Sequence, residues 1–218
     1  MRLKLNHHHT DLPIALNGFE NINRYWDDLQ QSHVAKIKPG EYYVTKQHEI
    51  IVTVLGSCIS ACICDKDVGI GGMNHFMLPV SSIHDDEYLM ASDLSVAARY
   101  GNYAMEHMIN DILSHGGQRK YLEVKICGGG RVLKDMHVID IGKKNIDFVK
   151  DYIAIEGLTL LAEDVGGLFP RKVQYTPETG GLRIKKIRSL HNDTIAKRET
   201  SYQCKLEKDQ VSGEVELF

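Results

Sequence analysis

The chain has no apolar run of the roughly 18 residues that a bilayer-crossing helix needs, so no membrane insertion is expected. Its opening residues, MRLKLNHHHTDLP, lack the apolar core of a secretory signal. An excess of positive charge is missing too. Lys and Arg number 26 against 29 Asp and Glu, a formal net charge of −3, and no dense basic and aromatic patch interrupts that balance. This argues against a nucleic-acid partner. Cysteine is sparse, five residues in an odd count without a regular framework, which suits a reducing compartment and leads us to expect a cytoplasmic protein.

Two further absences narrow the chemistry. Gly128, Gly129 and Gly130 precede Arg131 in a way that could cradle a phosphate, but no Gly-Lys-Ser/Thr follows, so the P-loop pattern is not there. A close backbone approach or a substrate-facing loop is the better expectation. Cys58, Cys62 and Cys64, with His75, lack the turn-borne C-x-x-C pairs of structural zinc sites, and no metal is expected. His7, His8 and His9 read as a chance cluster near the chain end. What remains is 43% hydrophobic, enough to build a core in one large domain or two small ones.

The informative stretch runs from Leu55 to Pro79, LGSCISACICDKDVGIGGMNHFMLP. Ile50 to Leu55 reads as a buried strand, and Gly56-Ser57 breaks it to put Cys58 at a bend. The chain is then apolar to Cys64, polar across Asp65 to Asp67, and apolar again toward His75, which is a hairpin pattern. With Lys66-Asp67 as a two-residue turn, Asp65 faces Val68 and Cys58 faces His75. A thiol beside an imidazole is a nucleophile with its base, and backbone N–H groups at the Gly56-Ser57 bend would hold an oxyanion. The competing reading is a buried structural cysteine and a core histidine.

The motifs Thr53-x-Leu-Gly-Ser-Cys58 and Gly71-Gly72-Met73-Asn74-His75-Phe76-Met77-Leu78-Pro79 closely resemble those of CheD, the chemoreceptor glutamine deamidase family. The resemblance continues through Tyr100-Gly101-Asn102-Tyr103-Ala104-Met105, Cys127-Gly128-Gly129, Ile141-Gly142-Lys143-Lys144-Asn145 and Ala162-Glu163-Asp164-Val165-Gly166-Gly167, and ends near Pro177-Glu178-Thr179-Gly180. It implies a cysteine nucleophile at Cys58, a general base at His75, and a threonine at Thr53 that orients the histidine. Some family members have one more residue between that threonine and the cysteine; otherwise Thr53 is an ordinary β-branched strand residue. The resemblance also implies hydrolysis of selected receptor glutamines to glutamate, and sometimes of receptor methyl esters. No cofactor is implied. The implied partners are chemoreceptor helices and a CheC-like phosphatase. A different thiol acyl hydrolase and a non-catalytic receptor- or CheC-binding module are the other classes open to this chain. Gly56, Ser57 and Arg131 are the candidate substrate-binding residues, and Cys58 is expected to be the most reactive thiol.

Along the chain, residues 1–36 are expected to form an N-terminal extension, 37–190 a CheD-like deamidase domain, and 191–218 a polar tail. Asn21 to Gln31 reads as a short amphipathic helix with Ile22, Tyr25, Trp26 and Leu29 on one face. Glu41 to Thr45 reads as a strand, and Pro79 to Glu87 as a polar loop. Ser92 reads as the N-cap of a long helix that ends at Gly116-Gly117, its methionines in the core and Gly101 permitting close packing on the sheet. Tyr121 to Ile126 is an expected strand, Asn145 to Glu156 a helix, and Leu158 to Ala162 a strand. A second hairpin flanks Pro177 to Gly181. From Asn192 the sequence loses periodicity, and its last five residues, Glu214 to Phe218, form an acidic, apolar end that reads either as a docking motif or as an end without a role. The expected fold is α/β, a layered sandwich with a mixed, largely antiparallel sheet and packed helices.

Overall fold

The computed structural model describes residues 11–78, 91–132, 140–188 and 193–208, the helix up to residue 99 by its backbone alone. The expected Pro79 to Glu87 loop, the His7 to His9 cluster and the acidic C-terminal end lie outside the described residues. Among these residues ten strands make two sheets rather than one. The first has the order β1 (Asn23–Asp27), β2 (Ser32–Lys36), β4 (Glu49–Leu55), β9 (Arg171–Thr176), β10 (Gly181–Lys186). The second has the order β3 (Tyr42–Thr45), β6 (Ile70–Asn74), β5 (Ile59–Asp65), β7 (Glu123–Gly128), β8 (Thr159–Val165). Each sheet contains one parallel pair, β2 with β4 and β7 with β8, among otherwise antiparallel neighbours, as the hairpin patterns lead one to expect.

Helices α1 (Ala91–Ser114) and α2 (Ile141–Ile155) pack on the second sheet. Met105, Met108, Ile109 and Ile112 of α1 are buried, so the methionine stripe is core. Ser92 falls inside α1 rather than ahead of it. The freedom at Gly101 serves a helix neighbour instead of the sheet: a Cβ there would lie 2.3 Å from the Phe148 ring of α2. The other face of the second sheet meets the first, where Tyr175 of β9 lies beside Cys62 and Cys64 of β5. The result is a three-layer α/β/β sandwich. Among the described residues no helix is long and apolar enough to cross a membrane.

Three further expectations are corrected. The segment expected as an amphipathic helix at Asn21 to Gln31 is β1 and its turn. The Asp27 carboxylate accepts the N–H groups of Leu29 and Gln30 at 2.9 and 3.1 Å, which reverses the chain, and Tyr25 and Trp26 then pair with Val34 and His33 of β2. The β5–β6 hairpin keeps its position but not its register, because its loop has four residues: Asp65 pairs with Ile70. The Asp65 carboxylate accepts the Asp67 N–H at 3.0 Å and opens the turn, and Gly69 at a positive φ of 65° closes the four-residue loop. Finally, residues read as aperiodic tail form a third helix, α3 (Asp193–Lys208).

Buried charge joins the layers. Glu49 at the start of β4 is 1% exposed. It accepts from Arg24 of β1 at 2.6 and 2.9 Å, and from the hydroxyls of Tyr43 and Thr45 of β3 at 2.7 Å each. One carboxylate therefore holds elements of both sheets. Removing it strands a buried guanidinium, so Glu49→Ala should lower the unfolding free energy by about 3–5 kcal/mol in urea denaturation. A loss below about 1 kcal/mol would mean that the clip does not join the sheets.

Candidate active site

The chain crosses from one sheet to the other between β4 and β5, and that crossing is Gly56-Ser57-Cys58. Thr53 lies near the end of β4, and His75 follows β6. A strand end from each sheet thus brings its polar residue to the same seam. All are buried: Thr53 is 4% exposed, His75 2% and Cys58 0%.

Thr53 and His75 are in direct contact. Thr53 Oγ1 lies 2.7 Å from His75 Nδ1 and donates its hydroxyl proton to the Ile37 carbonyl at 2.9 Å. A threonine hydroxyl has one proton. With that proton on Ile37, Oγ1 meets the imidazole as an acceptor, so Nδ1 carries the hydrogen and Nε2 presents its lone pair. Nε2 is buried and makes no hydrogen bond among the described residues. Burial, helped by the positive charge of Arg198 on α3, lowers the His75 pKa to about 3, so the ring is neutral. His75 also lines a cleft of about 340 Å³ whose walls include Ile37, Val52, Thr53 and the α3 residues Ile195 and Glu199.

The expected pairing of Cys58 directly across from His75 is replaced by a register two residues further on, with Ile59 opposite Phe76 and Cys62 opposite Met73. A shift of two preserves the face of the sheet. The thiol–imidazole hydrogen bond is not formed in this state. Burial, and then the charge and hydrogen bond of Glu199, push the Cys58 thiol well above its ordinary pKa. Cys58 is thus fully covered, and the exposed cysteine is Cys204 on α3.

The crossing is fixed by its backbone. Gly56 O accepts from Gly130 N at 2.7 Å, Cys58 O from Gly129 N at 2.7 Å, and Ser57 O from the Asn145 amide at 2.9 Å. The triple glycine is therefore a backbone clamp. Gly128 has φ 118°, and a Cβ there would meet the Cys58 carbonyl at 2.3 Å. The guanidinium of Arg131 bonds to Asp140 at 3.0 Å and is 65% exposed. The N–H groups of the crossing converge on one oxygen pair, the Glu199 carboxylate of α3: Gly56 N at 2.8 Å, Ser57 N at 2.9 Å and Cys58 N at 3.3 Å, with Ser57 Oγ at 2.8 Å.

Sequence reasoning misses two residues at this site. Asn145, 0% exposed, reads in sequence as a helix start at the end of a family motif and with no role of its own, yet its carbonyl accepts the Leu78 N–H at 2.9 Å while its amide holds Ser57. It ties the segment after His75 to the segment before Cys58. Glu199 falls in the expected tail. The spacing Ile195, Glu199, Tyr202, Gln203, Leu206 is helical and would have revealed α3, though not its position.

A buried thiol at a bend rich in N–H donors, and on the neighbouring strand end a neutral imidazole whose free nitrogen is set by a threonine, are the parts of a cysteine-dependent acyl-transfer site. The CheD family profile, described as CheD chemotactic sensory transduction, matches residues 77–186. The "Probable chemoreceptor glutamine deamidase CheD" of Halorhodospira halophila is 53% identical over 207 residues, covering 95% of this chain and 94% of that protein. Proteins of the same name from Hahella chejuensis and Methylobacillus flagellatus are each 50% identical, covering 94% and 90% of this chain and 95% of their own lengths. The chain belongs to the CheD family.

Asn145 gives a stability test. Asn145→Ala would leave two buried backbone groups, Ser57 O and Leu78 N, without partners, and should lower the unfolding free energy by about 1–3 kcal/mol in urea. A neutral substitution would mean that water or another side chain already serves those groups.

Proposed function

We propose that this protein hydrolyses the side-chain amide of selected glutamines on bacterial chemoreceptors, with Cys58 as nucleophile, His75 as general base and acid, and Thr53 as the residue that orients His75. The observation that carries the reading is the Thr53 hydroxyl, which gives its one proton to Ile37 and so leaves His75 Nε2 bare at the seam where Cys58 lies. Membership in the CheD family supports the substrate.

The chemistry follows from these groups. His75 Nε2 takes the Cys58 proton and the thiolate attacks the glutamine Cδ. The developing oxyanion takes the N–H groups of Gly56, Ser57 and Cys58, donors already aimed at one point. The imidazolium protonates the departing ammonia, and a water deprotonated by Nε2 then cleaves the thioester to leave glutamate. No metal or organic cofactor takes part. The same acyl-enzyme route hydrolyses a receptor methyl ester. Each turnover adds a negative charge to a receptor helix and so biases its signalling equilibrium. Arg131, exposed beside the glycine clamp, contributes to receptor binding. The protein acts in the cytoplasm, and a CheC-like phosphatase is its second partner.

Intact-mass analysis of a receptor cytoplasmic fragment tests this, since each deamidation adds about 1 Da when NH₂ becomes OH in such acyl transfer. Cys58→Ala and His75→Ala should each abolish the gain, and the double variant should be no worse than either, because members of one catalytic unit are not additive. Thr53→Val should slow the reaction by less than the roughly 100-fold that a general base contributes, since the base itself remains. Full activity in Cys58→Ala would overturn the assignment.

A further inference from the structure

A charged side chain at the centre of a helix's buried face needs a reason. α3 buries Glu199 and Gln203 and half-buries Tyr202 and Leu206 on one face, and Glu199 is only 3% exposed. Its carboxylate is held by four donors, three of them the consecutive backbone N–H groups of Gly56, Ser57 and Cys58. A Cβ placed on Gly56 would sit 2.7 Å from the Glu199 Cδ, so the carboxyl carbon lies directly against the crossing, and glycine is what admits it. Tyr202, one turn on, seats its hydroxyl where a Cβ on Gly40 would meet it at 2.9 Å, and it hydrogen-bonds to Tyr100 of α1. The helix is thus docked at two points, and the acid reaches the donors that the acyl-transfer reading assigns to the oxyanion.

The charges on α3 act on both reactive groups. Glu199 adds to the burial that keeps the Cys58 thiol protonated, and Arg198 adds to the burial that keeps His75 neutral. Among the described residues, α3 brings Glu199 against the Cys58 backbone and lines the cleft beside His75 with Ile195, Arg198 and Glu199.

We propose that α3 is a built-in occupant of the active site, bound in the manner of the reaction product: a helix that presents a γ-carboxylate to the Gly56-Ser57-Cys58 donors and must leave before a glutamine-bearing helix can enter. The inference rests on the deamidase reading for the word product, but the occupancy itself does not. Deamidation of a helix-borne glutamine leaves a helix-borne glutamate, and Glu199 on α3 has that chemistry. Receptor turnover is governed by the fraction of molecules with α3 displaced, since binding to a fractionally available site weakens by that fraction.

Two measurements on the full-length chain test this. The first is the rate at which iodoacetamide labels Cys58, read peptide by peptide, with circular dichroism to check that each variant is folded. Glu199→Ala should raise labelling of Cys58 about tenfold or more while Cys204 is unchanged, because a weakly held helix exposes the site in proportion to its open fraction. Equal Cys58 labelling in parent and variant would overturn the proposal. The second measurement uses Glu199→Gln, which converts the occupant from product to substrate. Cys58 then attacks the Cδ of the introduced amide, the C–N bond breaks as His75 protonates the departing ammonia, and water cleaves the thioester to restore glutamate. The variant should gain about 1 Da on standing, and the same variant carrying Cys58→Ala should not. Retention of the introduced amide over the time in which the same protein deamidates receptor would overturn the product-like register.

The two readings fail separately. If labelling rises in Glu199→Ala but no receptor fragment is deamidated by parent or variant, the occupancy stands and the deamidase activity falls. If receptor is deamidated and labelling is unchanged, the activity stands and the occupancy falls.

Discussion

Three consecutive buried residues, Gly56, Ser57 and Cys58, carry six backbone polar groups away from water, and each needs a partner. The three carbonyls are met by Gly129, Gly130 and Asn145, all from the second half of the chain. That is why a strand of the second sheet ends in glycines, and why the second turn of α2, which carries Asn145, lies against the crossing. The three N–H groups have no such permanent partner in either sheet. They point to the seam, and whatever occupies the seam must be an acceptor, ideally an anion.

The same seam explains why the residues proposed to react come from different sheets. Cys58 follows the last residue of a first-sheet strand, His75 follows the end of a second-sheet strand, and Thr53 reaches His75 from the first sheet. Face-to-face packing of two sheets, clipped by Glu49 on one side and by Arg171 of β9 with Asp164 of β8 on another, keeps those strand ends together. Arg171 is 2% exposed and binds Asp164 at 2.8 Å, so its charge is answered inside the protein. Catalytic geometry built on strand ends is held more tightly than geometry on free loops. The tautomer of His75 is fixed by the same means, since Ile37 and Thr53 belong to neighbouring strand ends of one sheet.

Most of this architecture was legible in the sequence because apolar periodicity and glycine punctuation report backbone needs. The strand before Cys58, both later hairpins and the methionine-lined helix followed from pattern alone. The hairpin register did not, because the turn length depends on the Asp65 side chain capturing the Asp67 N–H, a local competition that composition does not reveal. The expected helix at Asn21 to Gln31 failed for a similar reason: Asp27 closes a turn that lets Tyr25 and Trp26 pair as a strand, and pairing overrode helical spacing. Cys58 and His75 stood out from the glycine bend and the hairpin pattern, and the motif resemblance added Thr53, which does contact His75. Asn145 and Glu199 were not found, since their importance lies in whom they touch 88 and 142 residues away, as for Ser57.

The N–H groups at the crossing set a condition on any resting state of this enzyme. A donor cluster preorganised for an oxyanion stabilises charge because it is already aimed and already dry, and the same properties make it costly when empty. In this structure the donors are met by a carboxylate of the chain itself, and Cys58 beside them is wholly covered. A carboxylate carried on the chain's own helix satisfies the donors without water and without chemistry, because a carboxylate carbon beside a protonated thiol has no good leaving group. A glutamine in the same place would have one. On the proposed reading, the difference between an inert latch and a substrate is a single NH₂ on one helix position, and the contacts that hold α3 are those offered to a receptor helix.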